Sequence, residues 1–141
     1  MNIFLATAFR TNDDQKILKR IKKILDIEGN VIWCAKDNFD DYYGTIQGSR
    51  LKEIIEIEKD QILKSDLVIA VLSNQNIDTL MQIVYASEYK VPILIYITGE
   101  RPDQALEYSP WLHYHGQIVK SEHAFINALN NLKKHIEKEY E

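Results

Sequence analysis

A three-layer α/β domain built on a parallel sheet is the fold this sequence predicts, and three features point to it. Short apolar runs alternate with longer amphipathic stretches along the chain, the pattern of strands joined by helical crossovers. The run Leu67-Val68-Ile69-Ala70-Val71-Leu72 is apolar throughout, as befits a strand covered on both faces. The 141 residues suit a single domain spanning 1–141 and leave little room for a second. Right-handed crossovers leave few topologies open, and a flavodoxin-like, five-stranded parallel sheet is the expected one.

Ile3-Phe4-Leu5-Ala6 opens the chain as a buried strand. Ile17, Leu18, Ile21, Ile24 and Leu25 recur on one face of a helix that Gly29 closes as C-cap. Val31-Ile32-Trp33-Cys34 reads as the second strand, and a polar loop over 37–48 follows, carrying Tyr42, Tyr43 and two glycines. A long helix is expected over about 49–64, then the central strand over 67–72. A helix over about 79–88 leads to the strand over 92–97. The stretch 98–110 is expected to be irregular or briefly helical, 116–119 a short edge strand, and 121–138 a terminal helix with Ser121 as N-cap.

Composition narrows the function. Lys and Arg total 17 against 21 Asp and Glu, a formal charge of −4, which argues against a duplex nucleic-acid partner. The lone Cys34 excludes an internal disulfide framework and a cysteine zinc cluster. No apolar run approaches the roughly 20 residues of a membrane helix. The opening MNIFLATAFR lacks the basic and apolar regions of a signal peptide, so the expected compartment is the cytoplasm, without a membrane partner. No P-loop, dinucleotide fingerprint or G-x-S-x-G elbow follows any strand. His113 and His115 have no nearby Asp, Glu or Cys to complete a ligand set and are read as loop decoration, so no metal is expected.

Ligands of such folds sit beyond the carboxyl ends of the strands, where strand order reverses. That rule selects Thr7-Ala8-Phe9-Arg10, the 37–48 loop, residues 73–82 and residues 98–102. On the long helix Leu51, Ile54, Ile55 and Ile62 form an apolar stripe, and Glu58 falls within roughly 20° of its centre. A carboxylate there either bonds a backbone group or lies where the sheet ends, or it reaches the crevice and meets a ligand hydroxyl. Gln82 also has two readings. Thr79-x-x-Gln82 matches a capping box in which Gln82 serves a backbone N–H, and the same first turn is placed to meet a ligand. Arg10 is either solvated or holds an anion through its fork of donors. The basic run Lys16, Lys19, Arg20, Lys22 and Lys23 reads as a solvated face.

Taken together, residues 2–97 resemble the nucleoside 2-deoxyribosyltransferase superfamily, which includes the 2′-deoxynucleoside 5′-phosphate N-hydrolases. Thr7-Ala8-Phe9-Arg10 after the first strand resembles the hydrolases' phosphate-binding loop. Glu58 stands eight positions before Asp66, where the family carries an acid that assists at the ribose or base. The family's G-T-x-x-E-[IL]-G-x-A motif appears as Asp78-Thr79-Leu80-Met81-Gln82-Ile83-Val84-Tyr85-Ala86. Thr79, Ile83 and Ala86 fit; Asp78 and Val84 replace the glycines, and Gln82 stands where the family has its nucleophilic glutamate. A carboxamide has neither the charge nor the nucleophilicity for that role. Either the natural protein binds without cleaving, or this chain is an inactivated variant of an enzyme with glutamate there.

The resemblance implies Gln82 and Glu58 at the catalytic positions, with nucleotide contacts from Thr7, Ala8, Phe9, Arg10, Tyr42, Tyr43, Ser73, Asn76 and Asp78. In this reading Arg10 and Asn76 hold a phosphate and Tyr42 or Tyr43 stacks on the base. It also implies a small-molecule nucleoside or nucleotide as ligand, a homo-oligomer, and no cofactor. A second resemblance is to TIR domains, many of which cleave NAD, through Ile62-x-x-Ser65-Asp66-Leu67-Val68-Ile69-Ala70-Val71-Leu72-Ser73. A third possibility is a nucleotide sensor that performs no chemistry.

Overall fold

The structure is a computed structural model that describes residues 1–27, 29–44 and 47–139. Strands β1 (Asn2–Thr7), β2 (Val31–Trp33), β3 (Leu67–Leu72), β4 (Ile93–Ile97) and β5 (Gln117–Val119) form one sheet in the order β2-β1-β3-β4-β5. Every pairing is parallel, which gives the expected flavodoxin-like order. The helices are α1 (Asn12–Ile27), α2 (Ala35–Asn38), α3 (Gly48–Lys64), α4 (Ile77–Glu88), α5 (Pro110–His115) and α6 (Glu122–Glu139). A 3-10 turn, Gln104–Tyr108, precedes α5.

Alternation along the strands builds two cores. Ile3, Leu5, Leu67, Ile69, Val71, Leu94 and Tyr96 face α1 and α6, meeting Leu18, Ile21, Leu25, Phe125 and Leu129. Phe4, Ala6, Val68, Ala70, Leu72, Ile93, Ile95 and Ile97 face the other way, onto Ile62 of α3, Ile83 and Ala86 of α4, and Leu106 and Leu112. All six residues of β3 are buried, which is why that run has no polar side chain. Phe125 is fully buried and stacks on Tyr96 with ring centroids 4.7 Å apart.

Local chemistry sets the ends of the elements. Gly29 adopts φ +71 just beyond α1, the left-handed terminator conformation that glycine favours. Ser121 Oγ accepts the Ala124 N–H at 3.1 Å and caps α6 as expected. At α1, Thr11 Oγ1 accepts the Asp14 N–H and Asp14 Oδ2 accepts the Thr11 N–H, a reciprocal capping box.

Several expectations are corrected. Helix α4 starts at Ile77, because Asn76 Oδ1 accepts the Thr79 N–H at 2.9 Å and serves the orphan donor. Thr79 is therefore inside the helix, and it is buried. Cys34 is the N-cap residue of α2 rather than the last residue of β2. The loop over 37–48 thus loses its start to a helical turn; Thr45 and Ile46 lie outside the described residues. His113 and His115 belong to α5 rather than to a loop. His113 Nε2 lies 2.6 Å from the Glu107 carbonyl and His115 Nδ1 lies 2.8 Å from Ser87 Oγ. Of the α3 stripe, Ile54, Glu58 and Ile62 are buried, whereas Leu51 and Ile55 are about two-fifths exposed, at 41% and 40%. Leu51 sits in the first turn and Ile55 faces a hollow described below. No helix among the described residues is long and apolar enough to cross a membrane.

Candidate active site

In this strand order the direction of winding reverses between β1 and β3, whose Thr7 and Val71 are register partners. The loops that leave those strands diverge and open a crevice, the place where doubly wound sheets bind ligands. Thr7, Ala8, Ser73 and Asn76 gather there with Asp14 around a small hollow of about 10 Å³. The loop after β4 closes in from the other side: Thr98 N–H donates to the Leu72 carbonyl and Asp103 N–H to the Ser73 carbonyl. Gly99 has φ +134, and a Cβ on it would come within 2.9 Å of Ser73 Cβ. Glycine permits both the conformation and the approach.

A second, larger hollow of about 610 Å³ lies in the groove between α3 and α4. Its volume falls in the range of ordinary small-molecule sites. Tyr42 and Asp78 stand near its carboxyl-edge end and Glu88 at the far end of α4. Ile55, Ile62, Leu80, Met81, Val84 and Tyr85 make most of the wall, with Glu58, Gln82 and Lys59 as its remaining polar members.

Glu58 and Gln82 meet on that wall. The i, i+4, i+8 series Ile54, Glu58, Ile62 turns one face of α3 inward, leaving Glu58 only 3% exposed. Gln82 projects from α4 and donates through Nε2 to Glu58 Oε2 at 2.6 Å. The capping-box reading of Gln82 is therefore overturned: its amide serves a carboxylate on a neighbouring helix, not its own backbone. Glu58 Oε1 is buried without a hydrogen-bond partner among the described residues.

Burial raises the Glu58 pKa above the ordinary glutamate value, and the Asp78 charge adds to this. The bond from Gln82 and the nearby Tyr42 hydroxyl oppose it without cancelling it. Tyr42 in turn is pushed well up by burial and by the charges of Glu58 and Asp78, so its hydroxyl stays protonated.

An aromatic series leads from the core to this wall. Phe4 stacks on Trp33 with centroids 5.2 Å apart, Trp33 meets Phe39 edge-on, and Phe39 stacks on Tyr42 at 6.3 Å. Phe9, Tyr42 and Tyr43 pack against one another, Phe9 to Tyr43 at 4.6 Å. Arg10 is exposed and lies over the Tyr43 ring, 5.6 Å from its centroid, and it lines neither hollow.

The sequence-selected residues thus divide into three groups. Glu58, Gln82, Tyr42 and Asp78 share the larger hollow; Thr7, Ala8, Ser73 and Asn76 share the smaller; Phe9, Arg10 and Tyr43 form a cluster beside Tyr42. Three contributors were missed. Lys59, 5.4 Å from the Tyr85 ring centroid, and Glu88 carry no sequence signal beyond exposed charge. Asp14 does carry one, since Thr11-x-x-Asp14 has capping-box spacing.

Chemically, the Glu58–Gln82 pair stands side by side rather than across a gap. Paired acid and base groups on opposite faces of a sugar sit roughly 5–9.5 Å apart. Adjacent side chains instead suit one attacking group steadied by its neighbour, provided the attacker is a carboxylate.

No protein-family model matches the sequence, and no curated protein matches it. Solved structures do share the fold. A 2-deoxyribosyltransferase from Bacillus psychrosaccharolyticus superposes with a TM-score of 0.69 at 11% identity, over 86% of this chain and 87% of that one. A conserved protein from Enterococcus faecalis V583 gives 0.68 at 16% identity, over 95% and 98%. The CMP N-glycosidase of Clostridium botulinum gives 0.58 at 17% identity, over 92% and 99%. This chain therefore shares its α/β fold with a 2-deoxyribosyltransferase and a CMP N-glycosidase. The TIR resemblance gains no support from these structures.

Proposed function

We propose that this chain binds a nucleoside or nucleotide in the hollow between α3 and α4, and that it breaks or transfers an N-glycosidic bond only with a carboxylate at position 82. The observation that carries this reading is the 2.6 Å contact between Gln82 and Glu58 on the wall of a hollow of about 610 Å³. Those two side chains come from different helices, and each occupies the position that the resemblance gives to catalysis. The two enzymes of the same fold named above, one a deoxyribosyltransferase and the other a CMP N-glycosidase, support the same chemistry.

In this reading the apolar wall and Tyr42 take the base, while Glu58 meets the sugar. Gln82 holds Glu58 in place but forms no bond to the anomeric carbon, because an amide lacks the charge that stabilises an oxocarbenium-like transition state. A homo-oligomer belongs to the reading too: Met81 and Val84, 68% and 50% exposed beside the hollow, support cover by a second copy. Light scattering tests that part, and a monomer at all concentrations refutes it.

The main test is Gln82→Glu incubated with 2′-deoxynucleosides and their 5′-monophosphates, with free base followed by chromatography. Base release by the variant and none by the unaltered chain is the expected result. Nucleoside binding without release by either form leaves a sensor, and absence of binding refutes the proposal.

A further inference from the structure

Where a parallel sheet of this order ends, the loop after β1 and the first turn of the next helix offer backbone N–H groups to an anion. In this chain three of those donors are already engaged. Phe9 N–H donates to the Tyr43 hydroxyl at 3.1 Å, and Arg10 and Thr11 N–H both donate to Asp14 Oδ2, at 3.2 and 3.1 Å. Asp14 is buried, 9% exposed, and forms part of the wall of the small hollow. At about 10 Å³ that hollow has room for roughly one water, far less than a phosphoryl group needs.

The charges around both hollows point the same way. Their walls carry Asp14, Glu58, Asp78 and Glu88 against the single cation Lys59, which sits over the Tyr85 ring. Burial pushes the Tyr43 hydroxyl pKa up and the charges of Asp78 and Asp14 add to this, while the Phe9 N–H bond and Arg10 oppose it. Arg10 is drawn to the Tyr43 face rather than into either hollow.

We propose that Asp14 determines specificity: it is a built-in anion in the seat that a 5′-phosphate would take, and it restricts the site to nucleosides over their 5′-monophosphates. The inference rests on the nucleoside reading of the larger hollow and sharpens it. A phosphomonoester brings close to two negative charges at neutral pH. It would meet the Asp14 carboxylate with the Phe9, Arg10 and Thr11 N–H groups already taken, whereas a 5′-hydroxyl is a neutral donor that suits a carboxylate acceptor.

The test is calorimetric titration of the unaltered chain with the four common 2′-deoxynucleosides and, separately, their 5′-monophosphates. The best nucleoside is expected to bind at least about tenfold more tightly than its monophosphate, from like-charge repulsion in a part-desolvated setting. Asp14→Asn keeps the size and removes the charge, and is expected to narrow that ratio by raising monophosphate affinity. Monophosphates that bind the unaltered chain as well as nucleosides do overturn the assignment while leaving the nucleotide reading intact. A ratio unchanged in a folded Asp14→Asn also overturns it. Absence of binding to either series overturns both readings together. If Asp14→Asn fails to fold, the ratio in the unaltered chain decides alone.

Discussion

Replacing Gln82 by glutamate changes the electrostatics of the core as well as the chemistry of the site, and the size of that change can be worked out from one contact. The amide nitrogen of Gln82 lies 2.6 Å from Glu58 Oε2, and Glu58 is buried. A carboxylate in the amide's place puts two charges about 3 Å apart, which repel by about 5–6 kcal/mol at an effective dielectric constant of about 20. The pair relieves this by keeping one shared proton. Even half the repulsion, after relaxation and water entry, is about 2–3 kcal/mol, or about 6–10 °C in Tm for a chain of this size.

The sign follows from linkage. In the unaltered chain burial already raises the Glu58 pKa, so the folded state keeps this proton to a higher pH than the unfolded chain does. The stability this brings is complete below the ordinary glutamate value and is lost as pH rises through the raised one. Gln82→Glu widens that window. Its Tm is expected to match the parent near pH 5 and to fall below it as pH rises to 9, followed by circular dichroism. Gln82→Ala removes a donor from a buried carboxylate and is expected to cost about 1.5–3 kcal/mol. Melting curves for Gln82→Glu that track the parent within about 2 °C across the whole range refute the contact between 58 and 82, and the functional reading with it.

Three further outcomes are expected. Gly99→Ala forces a side chain into φ +134 and against Ser73 Cβ, at about 1–3 kcal/mol in urea unfolding; a neutral result refutes the close approach. Asn76→Ala removes the N-cap of α4 and is expected to cost about 1 kcal/mol, whereas Thr79 and Gln82 would carry that loss if they were the cap. Phe125→Ala empties a fully buried site stacked on Tyr96 and is expected to cost about 3–5 kcal/mol in chemical denaturation.

Glu58 was legible in the sequence because a charge at the centre of an apolar helical stripe conflicts with its surroundings, and such a conflict marks a partner or a task. Leu51 and Ile55 share that stripe yet stay exposed. Periodicity reports which way a side chain points around its own helix and is silent on how far the neighbouring layer extends. The sheet and α4 cover Ile62, and Ala35 and Phe39 cover Ile54, but Leu51 lies in the first turn and Ile55 faces the hollow.

Gln82 shows the opposite difficulty. Its spacing from Thr79 satisfied a local rule that the backbone did not use, because Asn76 had already taken the donor three residues on. A capping pattern is decided by where the helix starts, and that start was misplaced by two residues. The same rule held at Thr11 and Asp14, where no earlier residue competes. What joined Gln82 to Glu58 was the relative rotation of two helices on one face of a sheet, a tertiary fact with no trace in either helix's own pattern. The resemblance assigns both residues to one site, and only the contact between them makes Gln82 a brace for Glu58 rather than a cap.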